Sequence, residues 1–71
     1  MLRTPVTSAN ISEVVLDKGV LHIVFKKGNR TYKYPGAGMA EYTALANAES
    51  VGGHFHAQIK PRFEGVLVPA L

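Results

Sequence analysis

Three β-rich runs separated by two glycine-bearing turns constrain this chain more than any other feature in it. Glu13-Val14-Val15-Leu16-Asp17 leads through Lys18-Gly19 into Val20-Leu21-His22-Ile23-Val24-Phe25. A second turn, Lys26-Lys27-Gly28-Asn29, leads into Arg30-Thr31-Tyr32-Lys33-Tyr34. Pro35 ends that run, because proline cannot donate to a ladder. Two-residue loops at Lys18-Gly19 and Lys27-Gly28 would set Leu16 opposite Leu21, Val14 opposite Ile23, Tyr32 opposite Ile23 and Tyr34 opposite Leu21. Side chains alternate with period two, so Val14, Leu16, Leu21, Ile23, Phe25, Tyr32 and Tyr34 share a core face. The opposite face carries Glu13, Val15, Asp17, Val20, His22, Val24, Thr31 and Lys33, which is more apolar than a solvated face requires. A bulge in either loop would shift this register by one residue.

Helical spacing takes over after Pro35. Met39 to Ala46 is rich in helix formers, with Met39, Tyr42, Leu45 and Ala46 at core spacing. Ser50 suits an N-cap for a second helix whose Val51, Phe55 and Ile59 form one stripe and which Pro61 stops. Residues 1–12 read as a polar N-terminal arm or short edge strand. Residues 64–71 form an apolar C-terminal tail that should cover its own sheet or a neighbour's. The expected fold is therefore a single α+β domain over residues 1–71, a three-stranded antiparallel β-meander packed on two short helices.

Length limits what that core can do. A chain of 71 residues buries only about 60% of the surface that its unfolded form exposes. With no cysteine, neither disulfides nor thiolate metal sites can reinforce it. Support from a second subunit is expected, so the chain reads as a homo-oligomer. No apolar run approaches the roughly 20 residues of a membrane span, and residues 1–15 lack a signal-peptide core. A cytoplasmic protein with no membrane association is the expectation.

The net charge of +3 is unevenly placed. Lys26, Lys27, Arg30 and Lys33 lie within eight residues that contain no acid, whereas residues 34–59 carry only Glu41 and Glu49. A local basic patch suits phosphates or an acidic partner, and lysines also guard strand edges. The acids form no recognisable catalytic pair, and Thr4, Ser8 and Ser12 have no base nearby in sequence. His54 and His56 would point about 200° apart on a helix, and no carboxylate or cysteine completes a ligand set with them or His22. No metal, cofactor or enzymatic activity is expected.

Ser8-Ala9-Asn10-Ile11, the hairpin, Tyr32-Lys33-Tyr34, Ala48-Glu49-Ser50-Val51-Gly52 and Phe55 followed by Ile59-Lys60 together resemble the KTSC family. These short domains are named after the C-terminal extension of some lysyl-tRNA synthetases and also occur alone in bacteria and phages. The resemblance covers roughly residues 6 to 63. It implies a non-catalytic domain, and RNA binding has been proposed for the family. Members usually carry Val-Pro before the first helix, whereas this chain has Pro35-Gly36-Ala37-Gly38.

That glycine-opened connection is the candidate ligand site. A loop running into a helix N-terminus exposes backbone N–H groups that hold phosphate. The expected contacts are Lys33, Tyr34, Gly36, Gly38 and Met39, with Arg30, Lys60 and Arg62 farther out and a base stacked on Tyr34. The function read from these features is non-catalytic nucleotide binding. The ligand would be a small signalling or cyclic nucleotide, of the kind a phage-type protein sequesters, or single-stranded RNA. The alternative is a protein-interaction module that docks an enzyme through its valine face and apolar tail.

Overall fold

The computed structural model describes residues 1–71, and the central hairpins form in the expected register. Strand β2 (Ile11–Asp17) pairs with β3 (Val20–Phe25) through Leu16↔Leu21 and Val14↔Ile23. Strand β4 (Thr31–Tyr34) follows through Ile23↔Tyr32 and Leu21↔Tyr34. The first turn holds both Lys18 (φ 52°) and Gly19 (φ 77°) in the left-handed region. This is the twist-matched hairpin geometry that glycine makes accessible. At the second turn a 3₁₀ turn, Lys27–Asn29, replaces the outermost pair. The Phe25 N–H still donates to the Arg30 carbonyl at 2.8 Å, so the register inward of it is unaltered.

The sheet has five strands rather than three, in the order β1-β2-β3-β4-β5. β1 (Leu2–Pro5) lies antiparallel to β2, with Leu2↔Leu16 and Thr4↔Val14. Its proline is tolerated because β1 is an edge. β5 (Val66–Val68) returns from the tail to pair with β4 through Thr31↔Val68, Tyr32↔Leu67 and Lys33↔Val66. β1 lies in the segment expected to be an arm or a short edge strand, and β5 in the expected covering tail. Four polar-rich residues and three apolar ones are too short to declare a period.

One irregularity changes the core. The β2–β3 register shifts between Ile11 and Glu13, leaving Ser12 as a bulge whose hydroxyl donates to the Val24 carbonyl at 3.2 Å. Unbulged alternation would put Ile11 on the face of Glu13. The extra residue turns it inward, where it is 1% exposed. It joins Val14, Leu21, Ile23 and Tyr34 beneath the helices.

Helix α1 (Met39–Ala46) buries Tyr42 and Leu45. Helix α2 (Val51–His54) passes directly into a π-helical turn, Phe55–Ile59. There the Lys60 N–H reaches back five residues to the Phe55 carbonyl at 2.9 Å. Ser50 caps the segment by accepting the Gly53 N–H at 3.1 Å. The wider turn keeps Phe55 and Ile59 on the line set by Val51, and all three are buried. α1 is tied to β1 by a 2.5 Å hydrogen bond between Thr4 Oγ1 and Tyr42 Oη.

The sheet's other face carries no helix, yet Val15, His22 and Thr31 are buried within it. His22 Nδ1 lies 2.9 Å from the Val20 carbonyl. An ion pair between Arg3 and Glu13 spans the surface beside Val15. No helix is long and apolar enough to cross a membrane.

Candidate functional site

The glycine connection between β4 and α1 is built, and two of its donors, the Ala37 and Gly38 N–H groups, are engaged within the chain. Ala37 is buried; its N–H donates to the Tyr34 carbonyl at 3.0 Å, and its carbonyl accepts from Leu21 at 2.9 Å. The Gly38 N–H donates to Glu41 Oε1 at 2.7 Å. That bond holds the Glu41 carboxyl below the usual carboxylate range, with Arg62 adding attraction at 3.9 Å. A carboxylate thus occupies the helix N-terminus where a phosphate was expected, and a second anion there would meet its charge. Gly36 has φ 93°, and a Cβ on it would lie 3.6 Å from the Phe63 ring. The Arg62 guanidinium stacks on that same ring, 5.0 Å from its centroid.

The other expected contacts are dispersed. Tyr34 is 5% exposed, with its ring edge-on to Phe55 at 5.6 Å and its phenol against the Gly65 backbone. Burial pushes its hydroxyl up to about 12. No face of Tyr34 is open to a base. Tyr32, assigned to the same core face, is only half-buried. Lys33 lies on the helix-free face opposite His22. Arg30 folds over Gly28 at the tip of the second turn, and Met39 and Lys60 are exposed. Only Gly36, Gly38 and Arg62 come together, through Glu41 and Phe63.

A different place gathers unused chemistry. The loop before β2 lies against the first turn of α2, and a Cβ on Gly52 would sit 3.5 Å from Ser8 Oγ. Beside this contact opens a cleft of about 280 Å³, floored by Ile11, Phe25 and Phe55 and rimmed by Asn10, Lys27 and His56. The two phenylalanine rings meet edge to face at 5.6 Å. A second, more polar hollow of about 350 Å³ adjoins it. The two share Ala9, Asn10, Gly52 and His56, and the second adds, among others, Ser8, Glu49 and Ser50.

Hydrogen bonding separates the structural members of this site from the free ones. Ser8 Oγ accepts the Asn10 and Ile11 N–H groups at 3.3 and 3.4 Å, which shapes the loop. Ser50 Oγ is occupied by its cap. The Asn10 carboxamide, the Lys27 ammonium and the His56 ring have no hydrogen-bond partner within the chain, and all three residues are exposed. An apolar aromatic floor ringed by a cation, a titratable ring and an amide suits a flat, anionic ligand. Lys26 and Arg30 flank Lys27 on the same turn.

Reading from sequence missed Asn10, Phe25, Phe55 and His56 as neighbours. The basic turn was legible, but the bulge and the π-turn that aim Ile11 and Phe55 beneath it were not. His22, His54 and His56 lie on three different surfaces. His54 lines a separate cleft between the helices, and no three metal-ligating side chains cluster anywhere.

A family model described as the KTSC domain matches residues 7–63. Among solved structures, the crystal structure of a KTSC domain protein from Yersinia pestis superposes with a TM-score of 0.83 at 28% identity. The match covers 96% of this chain and 97% of that one. No curated protein matches the chain. The strings Ser8-Ala9-Asn10-Ile11 and Glu49-Ser50-Val51-Gly52, distant in sequence, are the ones that line the paired hollows.

Proposed function

The chain belongs to the KTSC domain family, and on that premise we propose that it is a non-catalytic binding module for a nucleotide, whose seat is the Phe25–Phe55 cleft rather than the glycine connection. The observation that carries this reading is the cleft's make-up: an aromatic floor with Lys27, His56 and Asn10 unengaged at its rim. A base would lie over Phe25, the partly exposed ring of the two, and a full stack on an aromatic face contributes on the order of 1–3 kcal/mol per base. The Asn10 amide offers a donor and an acceptor to the base edge, and Lys27 meets the phosphate. A binding rather than catalytic role is supported by the hydroxyls of Ser8 and Ser50, both committed to backbone N–H groups.

Titration calorimetry against nucleoside monophosphates, cyclic nucleotides and short single-stranded RNAs tests the proposal. Lys27→Ala and Asn10→Ala are expected to weaken binding, whereas Lys60→Ala, on the far end of the π-turn, leaves it unchanged. Salt dependence distinguishes the two ligand sources. A mononucleotide gives a shallow slope, whereas RNA steepens it by about 0.7 per phosphate contacted. Absence of binding to every member of the panel at low salt refutes the reading.

A further inference from the structure

We propose that the helix-free face of the sheet is the interface of a symmetric homodimer, centred on β3 beside Val20 and closed by reciprocal ion pairs between Asp17 of one copy and Lys33 of the other. The pairing registers place Val20 and Val24 of β3 on this face together with Val66 and Val68 of β5. The tail strand therefore extends the valine surface of the meander into one patch. Val66 is 44% exposed, and Val20, Val24 and Val68 are partly so. An apolar sheet surface of this kind, uncovered by its own helices, is a docking face.

Its charges say which occupant fits. In a chain of net charge +3, this face carries Arg3 and Lys33 against Glu13 and Asp17, a balanced set. Arg3 and Glu13 satisfy each other within the chain, whereas Asp17 and Lys33 have no ion-pair partner. A neutral face holding one free charge of each sign suits a copy of itself rather than a polyanion or an anionic lipid surface.

The geometry admits the exchange. Asp17 is on β2 and Lys33 on β4, so β3 lies between them. Standard strand dimensions separate them by about 10 Å across the sheet and about 7 Å along it. A two-fold axis lying parallel to the sheet over the middle of β3 would carry each onto the other, giving two equivalent contacts, as an isologous interface requires. Val20, partly exposed, sits beside that axis over the buried His22. Five strands span about 24 Å, close to the molecule's own extents of 26 × 25 × 22 Å. The face can thus supply an interface at the lower end of the stable range, about 600 Å² per partner. A dimer that dissociates on dilution follows.

Sedimentation velocity on the whole chain over a dilution series, combined with charge swapping, tests this. The wild type is expected to shift from dimer to monomer as it is diluted. Asp17→Lys alone and Lys33→Asp alone each place like charges together and should raise the dissociation constant at least about tenfold. The double variant Asp17→Lys/Lys33→Asp should restore dimerisation to near the wild-type value. Thermal melts on the dilute monomers verify that the single variants fold. A wild type that is monomeric at every concentration overturns the proposal, including the case in which the face serves another protein. A dimer indifferent to the single swaps, or one that the double swap fails to restore, overturns it as well.

Discussion

Gly65→Ala provides a direct test of how tightly the tail closes on the core. A Cβ built at Gly65 would lie 2.8 Å from Tyr34 Cε2, 3.0 Å from Cζ and 3.1 Å from the phenol oxygen. These distances are shorter than packed side chains tolerate, and the clashing atoms belong to a buried ring rather than to a flexible chain end. Tyr34 has little room to retreat, because its ring meets Phe55 at 5.6 Å and Phe55 meets Phe25 at 5.6 Å. Gly65 is not in the left-handed region, so the whole effect is steric. Overpacking of this kind costs about 1–3 kcal/mol. In a domain of this size that lowers Tm by about 5 to 20 °C. Thermal denaturation followed by circular dichroism reads the change, and amide exchange at Val66 to Val68 reports whether β5 or the ring gives way. Gly52→Ala is the control: its Cβ meets only Ser8 Oγ, at an ordinary 3.5 Å, and it should be neutral or stabilising by up to about 1 kcal/mol. Tyr34→Leu removes the clashing atoms, so in that background Gly65→Ala should cost much less. A Gly65→Ala variant that melts at or above the wild-type temperature would refute the packing argument.

Tyr42→Phe removes the partner of Thr4 Oγ1 and should cost about 1 kcal/mol, with β1 amides exchanging faster than those of β3. Glu41 is held below the usual carboxylate range first by the Gly38 N–H. Its contribution is therefore present above the unfolded carboxylate pKa and lost as pH falls through the folded one. Glu41→Gln should flatten the acid limb of a stability-against-pH curve, and an unchanged limb would contradict the bond. Tyr34 titrates at about 12 in the fold, raised by burial. Stability should be complete below pH 10 or so and decline as pH rises towards the folded value, a decline that Tyr34→Phe removes in alkaline melts.

The hairpins were legible because parity is a strong constraint. Once Leu16 faces Leu21, the partners of Ile23, Tyr32 and Tyr34 follow. The Val51-Phe55-Ile59 stripe was legible for the same reason, since a buried line shows in the spacing. What escaped were the places where the backbone departs from its period. The Ser12 bulge turns Ile11 inward, and nothing in Asn10-Ile11-Ser12-Glu13 announces it. The π-turn keeps Phe55 under Phe25 with no proline or glycine inside Phe55–Ile59 to mark it. The candidate site fared likewise. Glycines before a helix predict free donors, but Glu41, placed one turn later, takes the Gly38 amide and sets its own negative charge where phosphate would lie. Tyr34, expected to be open to a base, is covered by Gly65, a contact between residues about thirty positions apart.

The strand order has a kinetic consequence. β1 to β4 are joined by short connections and can zip in succession from either turn. β5 is different: it joins β4 only after residues 35–65, helices included, have been traversed. Closing a flexible loop of that length costs about 2 kcal/mol more than closing a four-residue turn. The tail should therefore dock last, on a surface that the helices have already assembled. Until it does, the β4 edge is open to any β5, including one from another molecule. Refolding at high concentration should accordingly populate strand-exchanged species that dilute refolding avoids.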